Sequence, residues 1–341
     1  MTKAHTSGMP VVPELEERFR EPPGWRWHGF TRNGRTLRFG SVFPKDSIPD
    51  AVVVCFPGLG EFAEKYFETA RSMLDSNMAF WVMDWYGQGA SGRYLPHDPE
   101  KRHGGPFSED VADMHYFILE YIKHSSVHPD RGRIPMALLA HSMGANIGLK
   151  FLTQYPGLFE CAAFTAPLIG VKALAGVPGP LAGLATNLCG ALMGKSYLPG
   201  GQGWCVERHR PDGPKRLSAD PVRGAVHNLW CEANPQLKIG DATYGWLKHA
   251  QKSCAFLQSS AGCATIETPC FFGLAENEHL VDNALARKVI HNMKNAQFVD
   301  IPWGHHEILM DVDEVRQVFL DGFMKLVKVS ILDRPETLKP F

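Results

Sequence analysis

Residues 134–148 read IPMALLAHSMGANIG, and the change of character halfway along them decides how the rest of the chain is read. The apolar run from Ile134 to Ala140 has the length and bulk of a fully buried strand, and the small residues after His141 permit a sharp turn into a helix. Ser142 stands at that junction. On so tight an elbow a serine is held in a strained backbone conformation that lifts its hydroxyl clear of the strand edge. Strand and helix backbones pass close together there, so the positions two before and two after must be small. They are Ala140 and Gly144, which gives the G-x-S-x-G pattern with one methyl in place of its first glycine.

A serine hydroxyl is a weak nucleophile until a base takes its proton and a third group orients that base. An elbow serine therefore demands an acid and then a histidine, in that order, at the ends of later strands. The competing reading, that Ser142 only caps the following helix, stands or falls with that demand. Downstream, the strand-like PCFFG at 269–273 leads into LAENEHLVDN, which offers Glu276, Glu278 and Asp282. Asp282 is placed to cap a helix running to Asn292, so Glu278 is taken as the acid and Glu276 as second choice. The last strand, expected at Ala296–Ile301, leads into PWGHHEILMD, where His305 and His306 compete and His306, at the entry to the terminal helix, is taken as the base. Paired histidines also raise a metal site, but no H-E-x-x-H spacing accompanies them, and no metal or cofactor is expected.

Upstream, 25–43 alternates bulky and polar residues around Asn33-Gly34, a hairpin signal, and AVVVCF at 51–56 reads as a buried parallel strand. It ends in PGLGEFAEKYFETA, where Pro57, Gly58 and Gly60 make a tight loop and Ala63–Leu74 has helical spacing. In a serine enzyme of this layout that loop supplies one oxyanion donor, assigned to the backbone N–H of Leu59, with the N–H of Met143 as the second. One preset donor is worth roughly 3 kcal/mol. The alternative is an ordinary strand-to-helix turn. The next strand, Ala79–Met83, ends in DWYGQGASGR, whose Gly87, Gly89 and Gly92 spell G-x-G-x-x-G. A dinucleotide site needs that motif to open a helix. Here Tyr94, Pro96, Pro99 and Pro106 prolong a loop up to a helix at Ser108–Lys123, so the motif reads as a structural turn in which Asp84 bonds its own loop.

After a further strand at Phe159–Ala166 the composition shifts. Residues 167–262 carry glycine, proline, tryptophan and apolar helical pieces without strands, as expected of a cap inserted over the elbow. Leu174, Leu181, Leu184, Leu188, Leu192 and Met193 are candidates to line an acyl-sized pocket walled by Trp204, Trp230 and Trp246, although a cap also needs a small core of its own. Arg208, His209, Arg210, Lys215 and Arg216 form a basic cluster that reads first as a solvated loop and second as a contact for phosphate or an anionic surface.

The 341 residues are enough for one large domain with an insertion. The division expected is an N-terminal extension at 1–24, loosely attached, a core at 25–166 and 263–335, and the cap at 167–262. Lysine and arginine number 35 against 36 acidic residues, and without a basic stripe no nucleic-acid partner is implied. The eight cysteines form no C-x-x-C pair, which suits a reducing compartment. The N-terminus lacks a signal-peptide core, and the apolar stretch after Pro180 is too short to span a bilayer. A cytoplasmic chain is expected, with a peripheral contact at the inner membrane left open.

The segments FPGLGEFAEKY, VMDWYGQGASGR, LLAHSMGAN, AENEHLVDN and GHHEIL together resemble the lysophospholipase and monoacylglycerol-lipase (serine aminopeptidase-like) branch of the α/β-hydrolases, closest to the bacterial inner-membrane lysophospholipase type. The resemblance runs from about Trp25 to Val327. It implies an α/β-hydrolase fold, a mostly parallel sheet with helices on both faces and a mainly helical cap inserted before the last two strands. It implies Ser142 as nucleophile, Glu278 and His306 as its partners, Leu59 and Met143 as oxyanion donors, and a small lipid or ester as substrate. Departures are Ala140 for glycine, Pro57 where many members carry histidine, and glutamate where aspartate is commoner. The same triad serves general carboxylesterases, thioesterases and acyltransferases, and a non-catalytic binding relative is a further alternative.

Overall fold

Alternate residues of the buried strands feed opposite faces of a single eight-stranded sheet. In the computed structural model, which describes residues 12, 14–129, 132–210, 212 and 216–334, Val52, Val54 and Phe56 enter one apolar core while Ala51, Val53 and Cys55 enter the other. A strand with no polar position is thus buried on both sides, as its period of two requires. The strands are β1 (Arg26–Arg32), β2 (Arg35–Val42), β3 (Ala51–Phe56), β4 (Met78–Met83), β5 (Met136–His141), β6 (Cys161–Thr165), β7 (Cys270–Ala275) and β8 (Ala296–Ile301). Their spatial order is β1-β2-β4-β3-β5-β6-β7-β8. The first two pair antiparallel, β2 runs antiparallel to β4, and every other neighbour is parallel. Asn33 and Gly34 join β1 to β2 with φ of 49° and 75°, the positive pair that a tight two-residue hairpin needs.

Helices cover both faces. On one lie α1 (Phe67–Asp75) and the C-terminal α8 (Asp313–Val327), and on the other α2 (Phe107–Phe117), the elbow helix α3 (Met143–Gln154) and α7 (Asn283–His291). The helix expected from Ala63 begins as a 3-10 turn over Ala63–Tyr66, and the one expected over 108–123 loosens into a π turn at Ile118–Ile122.

Among the described residues between β6 and β7 are three α-helices, α4 (Gly179–Met193), α5 (Pro221–Ala233) and α6 (Tyr244–Gln258), which do not stack as one layer. Val226, Trp230 and Cys231 of α5 join the core shared with α1 and α8, whereas Trp246, Ala250, Cys254 and Leu257 of α6 join the core under α3. The insertion therefore straddles the C-terminal edge of the sheet, anchored on either side. Arg223 is the anchor of α5, bonding Glu68 of α1, Asp220, Asp313 and the carbonyl of Asp311. Helix α4 packs on α6 with little more than Ala182 and Thr186 buried.

Two expectations are corrected here. The N-terminal segment is not loosely attached: Leu15 and Phe19 are buried in the core that holds α1, and Arg71 bonds Glu17, although residues 1–11 and 13 lie outside the described residues. The leucines of α4 do not line a pocket. Leu181, Leu184, Leu188 and Leu192 are 58 to 75 % exposed, because the single narrow face that meets α6 is made of Ala182 and Thr186. Trp230 and Trp246 serve the two cores instead. Of the basic cluster, Arg208 pairs with Asp241, Arg210 with Asp212 and Arg216 donates to the Ser218 carbonyl, while Lys215 and the side chain of His209 lie outside what is described.

Candidate active site

Strand β5 ends at His141, and Ser142 follows with φ 50° and ψ −112°, a left-handed conformation that a non-glycine residue holds only at a cost of about 1–3 kcal/mol. Its surroundings over-determine it. The Ser142 N–H donates to Thr165 on β6, while its carbonyl accepts from Asn146 and Leu168. The small residue at 144 is obligatory: a Cβ there would sit 2.1 Å from the carbonyl oxygen of Phe56 and 2.4 Å from that of Pro57. Close passage of α3 over the end of β3 is what the elbow requires, and it brings Met143 beside the loop that carries Leu59.

The structure brings Ser142, His306 and Glu278 together from three strand ends. The Ser142 hydroxyl lies 3.0 Å from His306 Nε2, and His306 Nδ1 lies 2.7 Å from Glu278 Oε2. The second carboxylate oxygen, Oε1, accepts from the N–H groups of Leu280 and Val281. With Nδ1–H given to the carboxylate, Nε2 is the acceptor and faces the serine O–H. Burial pushes the Glu278 carboxyl upward, but the neighbouring imidazole, its hydrogen bond and the two backbone N–H groups outweigh that and hold it at about 2. Burial works against the imidazolium of His306, yet Glu278 and then Glu307 and Glu61 raise its pKa above the ordinary value.

The competing residues are occupied elsewhere. Glu276 accepts from the N–H of exposed Trp303, Asp282 caps α7 through Leu285, and His305 is held by Asp311 through both its N–H and its ring. Asp84 accepts from Ala63, Ala90 and Arg38, so the glycine-rich loop is a turn built around a buried carboxylate. At Gly89 a Cβ would fall 2.2 Å from that carboxylate.

Among the described residues, the N–H groups of Leu59 and Met143 find no acceptor within the chain. One lies in a loop and the other at the first position of α3, where helix geometry leaves the N–H free. Unpaired N–H groups of this kind are able to receive a developing oxyanion. No group of three or more His, Cys, Asp or Glu side chains is arranged to hold a metal among the described residues.

A second buried constellation adjoins these three residues. The His141 ring stacks edge-on against His306 at 4.8 Å and bonds Thr165. Burial, and the cations of the neighbourhood, bring His141 down to about 4. Below it Glu61 accepts from the Gly58 N–H, the Tyr66 hydroxyl and Lys65, and Lys65 reaches on to Glu307. These residues were not singled out from the sequence. The Glu61–Lys65 spacing of four is a legible helical pairing, but nothing along the chain indicates that Glu307 meets the same lysine.

The family model described as serine aminopeptidase, S33, matches residues 47–313. Lysophospholipase L2 of Escherichia coli K12 is 30% identical over 284 residues, covering 81% of this chain and 79% of that protein. Human monoglyceride lipase is 28% identical over 122 residues, 36% of either chain. A soluble variant of monoglyceride lipase from Saccharomyces cerevisiae, solved with a substrate analog, superposes with a TM-score of 0.68 at 12% identity, covering 89% of this chain and 96% of that one.

Proposed function

The chain belongs to the serine aminopeptidase, S33, family of α/β-hydrolases, and from that premise we propose that it hydrolyses the carboxylic ester of a monoacyl lipid, a lysophospholipid or monoacylglycerol, through an acyl-serine intermediate. The observation that carries the reading is the continuous relay Ser142 Oγ, His306, Glu278, set in a chain 30% identical to a lysophospholipase.

In this reading Ser142 Oγ attacks the ester carbonyl as His306 Nε2 takes its proton. The carbonyl oxygen becomes an oxyanion between the N–H groups of Leu59 and Met143. His306 returns the proton to the departing glycerol oxygen, the carbon–oxygen bond breaks, and the acyl group stays on Ser142. Water then repeats the sequence, giving the fatty acid and free serine. Glu278 stays ionised throughout, fixing the imidazole tautomer and balancing the imidazolium. No cofactor takes part in these steps.

The cap supports a peripheral contact with the lipid surface that holds such substrates. Helix α4 presents Leu181, Leu184, Leu188, Leu192 and Met193 to solvent, with Lys172 before it and Lys195 after it also exposed. An apolar face flanked by cations suits the interface of an anionic membrane. Among the described residues no helix is long and apolar enough to cross one.

The test is fluorophosphonate labelling followed by a hydrolysis panel of lysophosphatidyl, monoacylglycerol, short p-nitrophenyl and thioester substrates. Labelling lost in Ser142→Ala, with turnover highest on the monoacyl lipids, is the expected result. Labelling that persists in Ser142→Ala rejects the nucleophile, and a preference for thioesters or short esters rejects the substrate class.

A further inference from the structure

The Leu59 N–H lies in a loop with no regular structure of its own, so something outside that loop must aim it. Gln88, on the loop after β4, is wholly buried and satisfies its whole side-chain amide there. Its Nε2 donates to the carbonyls of Gly58 at 2.7 Å and Glu61 at 2.8 Å, while its Oε1 accepts from the Gly60 N–H at 3.1 Å and from Arg102 Nε at 2.9 Å. Three of the four bonds go to the residues bracketing Leu59. The fourth reinforces the orientation that the two carbonyls and the Gly60 N–H already impose, since a guanidinium can only donate.

Arg102 is itself 3% exposed, and no carboxylate contacts it among the described residues. Its remaining nitrogens donate to the His103 carbonyl and approach Met143 Sδ at 3.5 Å. A buried cation with no acid in contact, and only Asp110 acting on it from farther off, is costly to keep. This one touches both elements that carry the unpaired N–H groups, the Leu59 loop through Gln88 and Met143 directly. A Cβ at Gly87, next to Gln88, would fall 3.0 Å from the same guanidinium, so that glycine leaves room for the arrangement.

We propose that Gln88, oriented by Arg102, is a positioning residue that sets the oxyanion donor of Leu59 in the serine-hydrolase reaction. It does not touch the reacting atoms. It fixes the peptide planes on either side of Leu59, so that the N–H is aimed before charge develops and needs no reorganisation when it does. The inference rests on the hydrolase reading above.

Gln88→Met removes all four bonds at similar volume, and Gln88→Glu keeps the acceptor for Arg102 while turning the two donors into an acceptor facing two carbonyls. Both are compared with wild type on a soluble p-nitrophenyl ester, with active sites counted by complete fluorophosphonate titration. Inhibition is measured with an alkyl trifluoromethyl ketone, which forms an oxyanion on Ser142, and with the matching ether, which does not. Expected for both variants is a kcat per titrated site lower by about 10- to 1,000-fold, the range bounded by the loss of one oxyanion donor. KM and ether affinity stay within about threefold, and ketone affinity falls in step with kcat. A merely structural role lowers the titrated fraction or the melting temperature and leaves the ketone-to-ether ratio unchanged, which overturns the proposal. Should the Gln88 variants not fold, Arg102→Lys, which loses the directed Nε bond, must lower the same ratio for the proposal to survive. An inactive, unlabelled wild type removes the hydrolase reading and this inference together. Active wild type with an unchanged ratio in the variants removes this inference alone.

Discussion

Lys65 and Glu307 stand 242 residues apart in the chain and 2.7 Å apart in the fold. The ammonium bridges Glu307, next to His306, and Glu61, whose carboxylate holds the Gly58 N–H. One buried cation thus ties the loop of Leu59 to the loop of His306.

Removing that cation strands two carboxylates. Lys65→Met is expected to cost about 3–5 kcal/mol of stability, because breaking a buried pair leaves charge uncompensated, read as a lower urea midpoint. Acid sensitivity should also change. Burial raises the Glu61 carboxyl but Lys65, first among its attractive partners, holds it at about 2, so its contribution is complete above its ordinary value near 4.5 and is lost as pH falls toward 2. Without Lys65 the acid-unfolding midpoint moves to higher pH. An unchanged midpoint in both titrations would show the bridge to be dispensable.

Glu278 and Glu276 are two residues apart and predicted to behave oppositely. Glu278→Gln keeps the shape but removes the charge that orients His306, and a fall in kcat of up to about 10,000-fold is expected. Glu276→Gln should stay within about twofold, as among the described residues its carboxylate bonds only the exposed Trp303 N–H. Steady-state kinetics on one soluble ester decide between them, and equal losses reject the assignment.

The acid limb of the pH profile carries a sign. His306 must be neutral to accept the serine proton, and Glu278 raises its pKa above 6.5 against the effect of burial. Therefore kcat/KM should fall as pH drops through a midpoint above 6.5, and the residual activity of Glu278→Gln should show that midpoint displaced to lower pH. Displacement upward contradicts the electrostatic account.

Gly144 and Ala140 flank Ser142 but differ in tolerance. Gly144→Ala drives a methyl into the carbonyls of Phe56 and Pro57, two backbone atoms that cannot swing aside. A loss of about 1–3 kcal/mol or more and displacement of the oxyanion loop should follow. Ala140→Gly restores the commoner motif and should cost about 1 kcal/mol or less in the strand. Melting curves with fluorophosphonate labelling rates distinguish the two.

The leucines of α4 are predicted to matter at lipid and not in solution. Replacing Leu184, Leu188 and Leu192 together by serine should weaken co-sedimentation with phosphatidylglycerol vesicles by about 10-fold or more, given about 1.5–3 kcal/mol for each leucine fully withdrawn from water. Hydrolysis of a soluble short ester should be unchanged, since these side chains are exposed. Equal vesicle binding by both proteins excludes this helix as the contact.

Local signals along the chain were sufficient for the strands of the large sheet and for the meeting of Ser142, Glu278 and His306. The unbroken apolar run at Ala51–Phe56 emerged as a strand with those ends, the Asn33-Gly34 pair as the hairpin turn, and the Ser142, Glu278 and His306 stations as neighbours. Each depends on periodicity, turn chemistry or strand-end position, properties that sequence spacing carries directly. What the leucines of α4 face was not legible, because an apolar stripe records hydrophobicity and not the partner that covers it. Nor was the path by which Lys65 finds Glu307 or Gln88 finds both sides of Leu59. Those contacts join loops whose separation is closed only when β3, β4 and β8 lie in one sheet, so their geometry belongs to the tertiary structure alone.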